Sequence, residues 1–203
     1  MRMSLRRGLV VASVLVLTVS ACTAGGSGSG VGEVTLPTTD IRGFTPQFGS
    51  VEEMAASSDL VAVASVVGLE PQGVLVVDED PNPSEWTLIR FEVEEVLAGE
   101  PVDEVSVMWE TYGTDGEGRR VLEFTLDGVP LPDVGDRYVL FLKAESESRA
   151  AVFGGRSSHA LVASSGMMAI VDGKVASEYR GGSPVGRALD GFTVDEAAAL
   201  LGG

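Results

Sequence analysis

The only histidine of the chain follows two serines, in the segment Gly154-Gly-Arg-Ser-Ser-His159. A serine hydroxyl becomes a nucleophile when an imidazole accepts its proton and a carboxylate orients that imidazole. Neighbouring side chains of a strand point to opposite faces, so adjacent residues are poorly placed to form such a pair. We therefore expect His159 to be a surface or hydrogen-bonded strand residue, and we assign no catalytic residue.

Oxygen-bearing side chains alternate at Asp78, Asp80 and Asn82, with the spacing of the first half of an EF-hand calcium loop. The turn glycine and the closing glutamate of such a loop are missing, because Pro83 and Ile89 stand at those positions. We expect a solvated acidic loop here and no metal site. Calcium binding by Asp78, Asp80 and Asn82 is the alternative.

Other catalytic and cofactor motifs are absent from the sequence. It contains no Gly-x-Ser-x-Gly nucleophile elbow and no Gly-x-x-x-x-Gly-Lys phosphate loop. One cysteine and one histidine exclude a disulfide framework, a thiolate zinc site and a two-histidine metal site made by one chain. We predict that the protein uses no cofactor.

The charge of the chain is strongly negative, with 30 acidic against 14 basic residues. Nucleic-acid binding draws most of its free energy from Lys and Arg that neutralise phosphates, so we predict no nucleic-acid partner. Residues 70–117, called the acidic flank below, hold 14 acidic residues and one basic residue, Arg90. Carboxylates for glycoside hydrolysis are therefore plentiful, but only 12 aromatic residues are present to stack on sugar rings.

The N-terminal segment has the pattern of a signal peptide. Three arginines precede an apolar run from Leu9 to Val19, which is too short to span about 30 Å of hydrocarbon as a helix. Residues 19–22, Val-Ser-Ala-Cys, resemble a bacterial lipobox, in which the cysteine sulfur receives a lipid. We expect Cys22 to anchor the protein to the extracytoplasmic face of the cell membrane. The alternative is an ordinary secretory signal with an incidental cysteine.

A glycine-rich stretch separates this cysteine from the remaining chain. Residues 23–32 contain five glycines and two serines, a composition that buries too little apolar surface to offset ordering entropy. We predict a lipoprotein signal peptide over residues 1–21, the lipidated cysteine and a flexible tether over 22–49, and a single all-β domain with a C-terminal helix over 50–203. Such a tether averages about 30 Å end to end.

Two capping boxes predict short helices, one at each end of this domain. Ser50 and Glu53 begin a helix through about Ser57, and Thr193 and Glu196 begin a terminal helix.

Between the helices, β-branched and alternating apolar residues predict many short strands. They are expected at residues 59–69, 86–97, 104–112, 120–126, 137–143, 152–155, 159–163, 167–171 and 174–179. A phase shift at Glu94-Glu95 indicates a β-bulge, and Asp172-Gly173 is a hairpin turn signal. Alternation also predicts that Tyr138, Leu140 and Leu142 share one interior with Phe91 and Val93. This pattern favours a mainly β fold, an antiparallel OB-like barrel or a small sandwich with a short helix at each end.

The segments SDLVAVASVVGLE, TLIRFEVEEVLAGE, EVSVMW and VGDRYVLFLKAE resemble the layout of bacterial secreted domains related to the netrin-like, TIMP-type OB-fold. The matching marks are Ser58-Asp59, the segment that ends at Gly99, and Gly135 three residues before Tyr138. The resemblance covers about residues 50–180 and implies a fold without implying catalysis. Relatives that inhibit metalloproteases act through an N-terminal cysteine. Because Cys22 is assigned to lipid, that mechanism is not expected here.

Taken with the missing motifs, these features predict a lipid-anchored, extracytoplasmic binding or interaction module without enzymatic activity. Its partners would be the membrane, through the lipid on Cys22, and an unknown envelope protein or ligand. The alternative is a cell-envelope hydrolase that uses carboxylates of the acidic flank. An enzyme should bring two or more acids with perturbed pKa values into one pocket, whereas a module should present a patch or groove.

Overall fold

The computed structural model describes residues 36–41, 47–75, 83–115, 117–126, 128–177 and 183–201. The strands of this part of the chain are β1 (Thr38–Ile41), β2 (Leu60–Leu75), β3 (Ser84–Gly99), β4 (Glu104–Thr114), β5 (Arg120–Leu126), β6 (Arg137–Ala144), β7 (His159–Leu161), β8 (Met167–Val171) and β9 (Lys174–Ala176). The helices are α1 (Val51–Ala56), α2 (Glu147–Val152), α3 (Pro184–Leu189) and α4 (Val194–Leu201), with one 3-10 turn at Ser164–Gly166.

Five of these strands close into a barrel. β2, β3 and β4 form an antiparallel meander, and β6 pairs with the other edge of β2. β7 then joins β6 to β4, antiparallel to the first and parallel to the second. This arrangement is consistent with an OB-like barrel. The predicted mainly β fold with an OB-like barrel is confirmed. The strands form a closed barrel and not the small sandwich that was the predicted alternative.

Two hydrophobic cores lie on opposite faces of β2 and β6. The barrel interior contains Ala62, Tyr138, Leu140, Leu142 and Phe91, with Val93 packed against them. This confirms the shared interior predicted from alternation. The outer faces of the same strands carry residues such as Val61, Val139 and Phe141, which pack against α1, α3 and α4. β2 is accordingly buried on both faces over its first half, as its run of apolar residues predicts.

The predicted bulge in β3 is present at Glu94. Val93 pairs with Ala64 and Glu95 pairs with Val63, so that Glu94 has no partner across the ladder. The side chain of this extra residue points to the exposed surface, where its carboxylate is hydrogen-bonded by Arg137. The bulge therefore allows apolar residues both before and after Glu94 to face the barrel interior.

Both predicted capping boxes form hydrogen bonds. At α4 the amide of Glu196 donates to Thr193 Oγ1 at 3.3 Å, and the amide of Thr193 donates to Glu196 Oε2 at 2.8 Å. At α1 Ser50 accepts from the amide of Glu53 at 3.2 Å, and the Glu53 carboxylate accepts from the amide of the preceding Gly49. The predicted helix at each end of the domain is confirmed.

One predicted strand is wrong, and two α-helices and one strand were not predicted. Residues 152–155 are the end of α2 and a turn, in which Gly154 and Gly155 have positive φ. α3 begins where Ser183 caps a helix with Pro184 at its first position. β1 pairs in parallel with β5, within the range assigned to the tether.

Three of the residues on which the predicted resemblance was based have structural roles here. Asp59 accepts a hydrogen bond from the amide of Ala144 at 2.9 Å, which ties β2 to the end of β6. Gly99 has a φ of 104°, and a Cβ at this position would lie 2.4 Å from the Asp59 carbonyl oxygen. Gly135, also at positive φ, donates its amide to the Val66 carbonyl at 2.9 Å. These residues hold strand ends together.

Candidate functional site

The barrel is closed between β4 and β7 by one residue pair, Val107 opposite His159. Immediately before that pair, Ser106 and Ser158 bind each other. The Ser158 amide donates to the Ser106 carbonyl at 3.2 Å and to its hydroxyl at 3.0 Å. The Ser106 amide donates to Ser158 Oγ at 2.9 Å. Beyond the pair, no further ladder forms between the described residues of the two strands.

A cleft of about 320 Å³ opens where this ladder stops. We call it the seam cleft. Its walls come from β3, β4, the end of β5, the approach to α2 and α2 itself, β7, and the segment that follows β7. They consist of Trp86, residues 107–110, Leu126, Glu145, Arg149, His159–Leu161, Ala163 and Ser164. Small-molecule sites in proteins occupy about 300–1,000 Å³, so the seam cleft is large enough for a small ligand.

Both tryptophans of the chain line the seam cleft. Trp109 belongs to the barrel core and is only 3% exposed, whereas Trp86 lies outside the barrel and packs against Phe153 with ring centroids 5.3 Å apart. The antiparallel pairing of β3 and β4 makes them neighbours along the ladder, because Trp86 lies opposite Glu110 and Trp109 opposite Thr87, and their side chains leave opposite faces of the sheet.

Each of these indole rings holds a buried N–H group without a hydrogen-bond partner. Within the described residues, Nε1 of Trp86 and Nε1 of Trp109 are the two buried side-chain polar atoms that lack one. A buried donor left unpaired costs about 1–3 kcal/mol, and such groups in native proteins call for an explanation. These N–H groups have no accessible surface of their own, but both tryptophans line the seam cleft, from which an acceptor would have to reach them.

Charged groups stand beside the tryptophans. The Glu145 side chain is only 5% exposed, and its Oε1 lies 3.5 Å from Nε of Arg149. This separation exceeds the 2.7–2.9 Å or so of a strong charge-assisted hydrogen bond. The Arg149 guanidinium lies 5.6 Å from the centre of the Phe153 ring, so Phe153 contacts both Arg149 and Trp86. The Glu145 carboxylate therefore has acceptor capacity for another donor.

His159 is half-buried in β7, and its Nδ1 lies 2.9 Å from Ser158 Oγ. Burial lowers the pKa of this imidazole, although the nearby Asp59 and Glu145 carboxylates act in the opposite direction. The ring is therefore neutral at pH 7. The expected hydrogen-bonded strand histidine is present.

The expectation that Ser158 and His159 point apart is wrong, because Ser158 precedes β7 and strand alternation does not apply to it. Contact alone does not make this pair a catalytic dyad. No carboxylate of the described residues hydrogen-bonds to the imidazole, and the Ser158 hydroxyl already accepts the Ser106 amide of the seam. The pair therefore belongs to the closure of the barrel.

Carboxylates of the acidic flank form ion pairs on the surface. The hydrogen bond from Arg137 lowers the pKa of Glu94, and the hydrogen bond from Arg90 at 2.8 Å lowers the pKa of Glu104. Lowered pKa values keep these groups ionised. A general acid in glycoside hydrolysis needs the opposite shift.

The predicted site residues Cys22, Asp78, Asp80 and Asn82 lie outside the described residues. The lipid anchor and the calcium alternative therefore stay predictions. In the described ranges, no group of three or more His, Cys, Asp or Glu side chains is arranged to hold a metal ion. No helix within those ranges combines the length and apolarity needed to cross a membrane.

No protein-family model, curated protein or solved structure matches the chain.

Proposed function

We propose that the chain is a lipid-anchored binding module of the extracytoplasmic face, which holds a small ligand in the seam cleft. The position of the two unpaired indole N–H groups carries this proposal. Both tryptophans line a single cleft of small-molecule size, and an acceptor that enters it and reaches either buried N–H group, after a side-chain adjustment, would complete that group's hydrogen bonding. Ligand sites typically combine apolar walls with a few such polar groups.

The charges favour binding over hydrolysis by carboxylates. Hydrolysis would need a carboxylic acid with a raised pKa near a second carboxylate. Glu94 and Glu104 instead have lowered pKa values and are bound to arginines on the surface, away from the seam cleft. The seam cleft presents donors and acceptors without a recognisable acid and base pair.

The N-terminal sequence supports the proposed location. The apolar run and the Val-Ser-Ala-Cys segment that ends at Cys22 favour lipidation after export. Because β1 begins at Thr38, a tether from Cys22 would cover 16 residues and average about 22 Å. We also propose a relation to netrin-like, TIMP-type domains, which the OB barrel supports.

The two tryptophans allow a direct test of the seam cleft. Full-length protein labelled with 15N at tryptophan should give two indole N–H resonances, since the chain contains two tryptophans. N,N-dimethylacetamide is a suitable probe, because it is small and uncharged and carries a strong acceptor oxygen. We expect saturable shifts of both resonances.

A filled cleft provides the comparison. Ala160→Phe places a ring in the seam cleft and should abolish the shifts, whereas Val121→Phe, at a 41% exposed position that does not line the cleft, should preserve them. If neither resonance shifts in the unmodified protein, or if Ala160→Phe behaves like Val121→Phe, the seam cleft is not the binding site.

A further inference from the structure

The seam between β4 and β7 depends on few hydrogen bonds. One residue pair, Val107 opposite His159, forms the ladder, and the bonds between Ser106 and Ser158 that precede it complete the closure. By comparison, three pairs hold β7 to β6, and six pairs hold β2 to β6. A strand edge with so few bonds opens at a lower free energy than a long ladder does. Among the described strands of the barrel, the seam is therefore the easiest place to open.

His159 belongs both to this closure and to the wall of the seam cleft. Its Nδ1 lies 2.9 Å from Ser158 Oγ, whose other acceptors, the carbonyl and hydroxyl oxygens of Ser106, are more distant at 3.4 and 3.3 Å. The Ser158 hydroxyl therefore donates to Nδ1 when the ring is neutral. A protonated ring has two donors and no acceptor, so this bond reverses. The Ser158 hydroxyl is then left with the longer bonds to Ser106.

The closed seam also disfavours a charged imidazole at His159. The ring is half-buried, and this burial lowers its pKa, because the surrounding protein solvates the charge less well than water does. The Asp59 and Glu145 carboxylates favour the charged ring without offsetting the burial. Glu110 of β4 and Arg149 of α2 line the same cleft, and Arg149 is paired with Glu145. An open seam exposes the ring to water and removes the cost of burying its charge.

We infer that protonation of His159 opens the seam between β4 and β7 and admits ligand to the seam cleft. The gain in ligand affinity rests on the proposed function of the cleft, whereas the opening can be measured without a ligand. Trp109 connects the two, because its indole N–H lies beneath the accessible surface on the barrel side of the cleft. Opening the adjoining ladder makes room for the side-chain adjustment through which an acceptor reaches this group.

Amide hydrogen exchange of the full-length protein measures the opening. Rates are divided by those of an unfolded chain at the same pH, and exchange that low urea leaves unchanged reports local opening. His159 is the only histidine of the chain, so a transition between pH 7.5 and 5.5 is assigned to it. We expect the protection of the Ser106 and Ser158 amides to fall severalfold over this range. The upper limit is about tenfold, for a ring whose pKa when exposed is about 6.5.

The Gly135 amide is the internal control. It donates to the Val66 carbonyl and closes another pair of strand ends, away from His159. Its protection from local opening should not change with pH. Constant protection of the Ser106 and Ser158 amides, or an equal fall at Gly135, would overturn the inference.

Variants connect the opening to the imidazole. His159→Gln removes the titration and should make the protection of the seam amides independent of pH, and a fall that persists would refute the role of His159. If this variant does not fold, Glu145→Gln provides the test: it removes a charge that favours the protonated ring, so the fall should begin at a lower pH. Ser57→Ala removes a hydroxyl that bonds only within α1, and it should leave the profile unchanged.

N,N-dimethylacetamide tests the admission of ligand. Its affinity, measured from the indole resonances, should rise between pH 7.5 and 5.5 by the factor by which the seam opens, because apparent affinity is proportional to the competent fraction. Falling protection with constant affinity would show that opening does not admit ligand and would overturn the inference. Constant protection with constant affinity overturns it too, and the binding site stands. Absence of binding at both pH values refutes the proposed function, and the exchange data then decide the opening alone.

Discussion

Replacing Gly99 with alanine should strongly destabilise the barrel. Gly99 ends β3 at a φ of 104°, and an added Cβ would lie 2.4 Å from the Asp59 carbonyl oxygen and 3.1 Å from Leu60 Cα. The unfavourable backbone conformation costs about 1–3 kcal/mol. Overpacking against the backbone of β2 adds about 1–3 kcal/mol more, because no flexible side chain can move aside. We expect Gly99→Ala to lower the free energy of unfolding by about 4 kcal/mol.

Gly118 is the matched control. Its φ is 76°, and a Cβ there would have no atom within 4 Å, so Gly118→Ala changes backbone conformation alone. It should cost about 1 kcal/mol, the lower end of the range for strained backbone. Urea unfolding of both variants measures the difference. In a chain of this length 1 kcal/mol corresponds to about 2–4 °C, so the melting temperatures should fall by about 8–16 °C and 2–4 °C respectively. Equal losses would refute the role of close contact at Gly99.

Three further predictions concern the anchor, the histidine and the acidic loop. Cys22→Ala should release the protein from washed membranes, since the sulfur is the proposed lipid attachment site; full retention would contradict the anchor. The folded-state pKa of His159 is lowered, so the unfolded chain binds a proton at a higher pH than the folded chain does. The free energy of unfolding should therefore be fully retained above a pH of about 6.5 and fall as the pH drops towards the folded-state pKa. His159→Gln should remove this pH-dependent loss. The urea midpoints of both proteins, measured from pH 7.5 to 5.5, test this, and identical profiles for the variant and the unmodified protein would contradict the prediction. Millimolar calcium should raise the melting temperature no more than sodium chloride at matched ionic strength, whereas a calcium-specific rise lost in Asp78→Asn with Asp80→Asn would establish a calcium site.

Much of the barrel could be predicted because its signals are local. β5 and β8 have the predicted bounds, and the hairpin between β8 and β9 turns at Asp172-Gly173, both with positive φ. The bulge at Glu94 followed from a phase shift in the apolar alternation, which a two-residue period makes visible.

The missed elements depend on weaker or distant signals. α2 is six residues long with no buried residue, and its capping Ser146 lies in a polar stretch that resembles a loop. β1 forms by parallel pairing with β5, far along the chain, and nothing in residues 38–41 indicates this partner.

The seam cleft was not predicted, although the position of its two tryptophans could have been. Antiparallel pairing of the two predicted strands makes Trp86 and Trp109 neighbours along the ladder, with side chains on opposite faces, and this adjacency could have been inferred. That the β4 and β7 ladder stops after Val107 and His159 depends on how the barrel closes, which local patterns do not determine.

Diffraction from crystals of the full-length protein soaked in N,N-dimethylacetamide tests most directly whether the seam cleft is a ligand site. We predict the probe bound in the cleft, with its carbonyl oxygen about 3 Å from Nε1 of Trp86 or Trp109. Probe molecules bound only elsewhere, with the cleft unoccupied at saturating concentration, would contradict the proposed site.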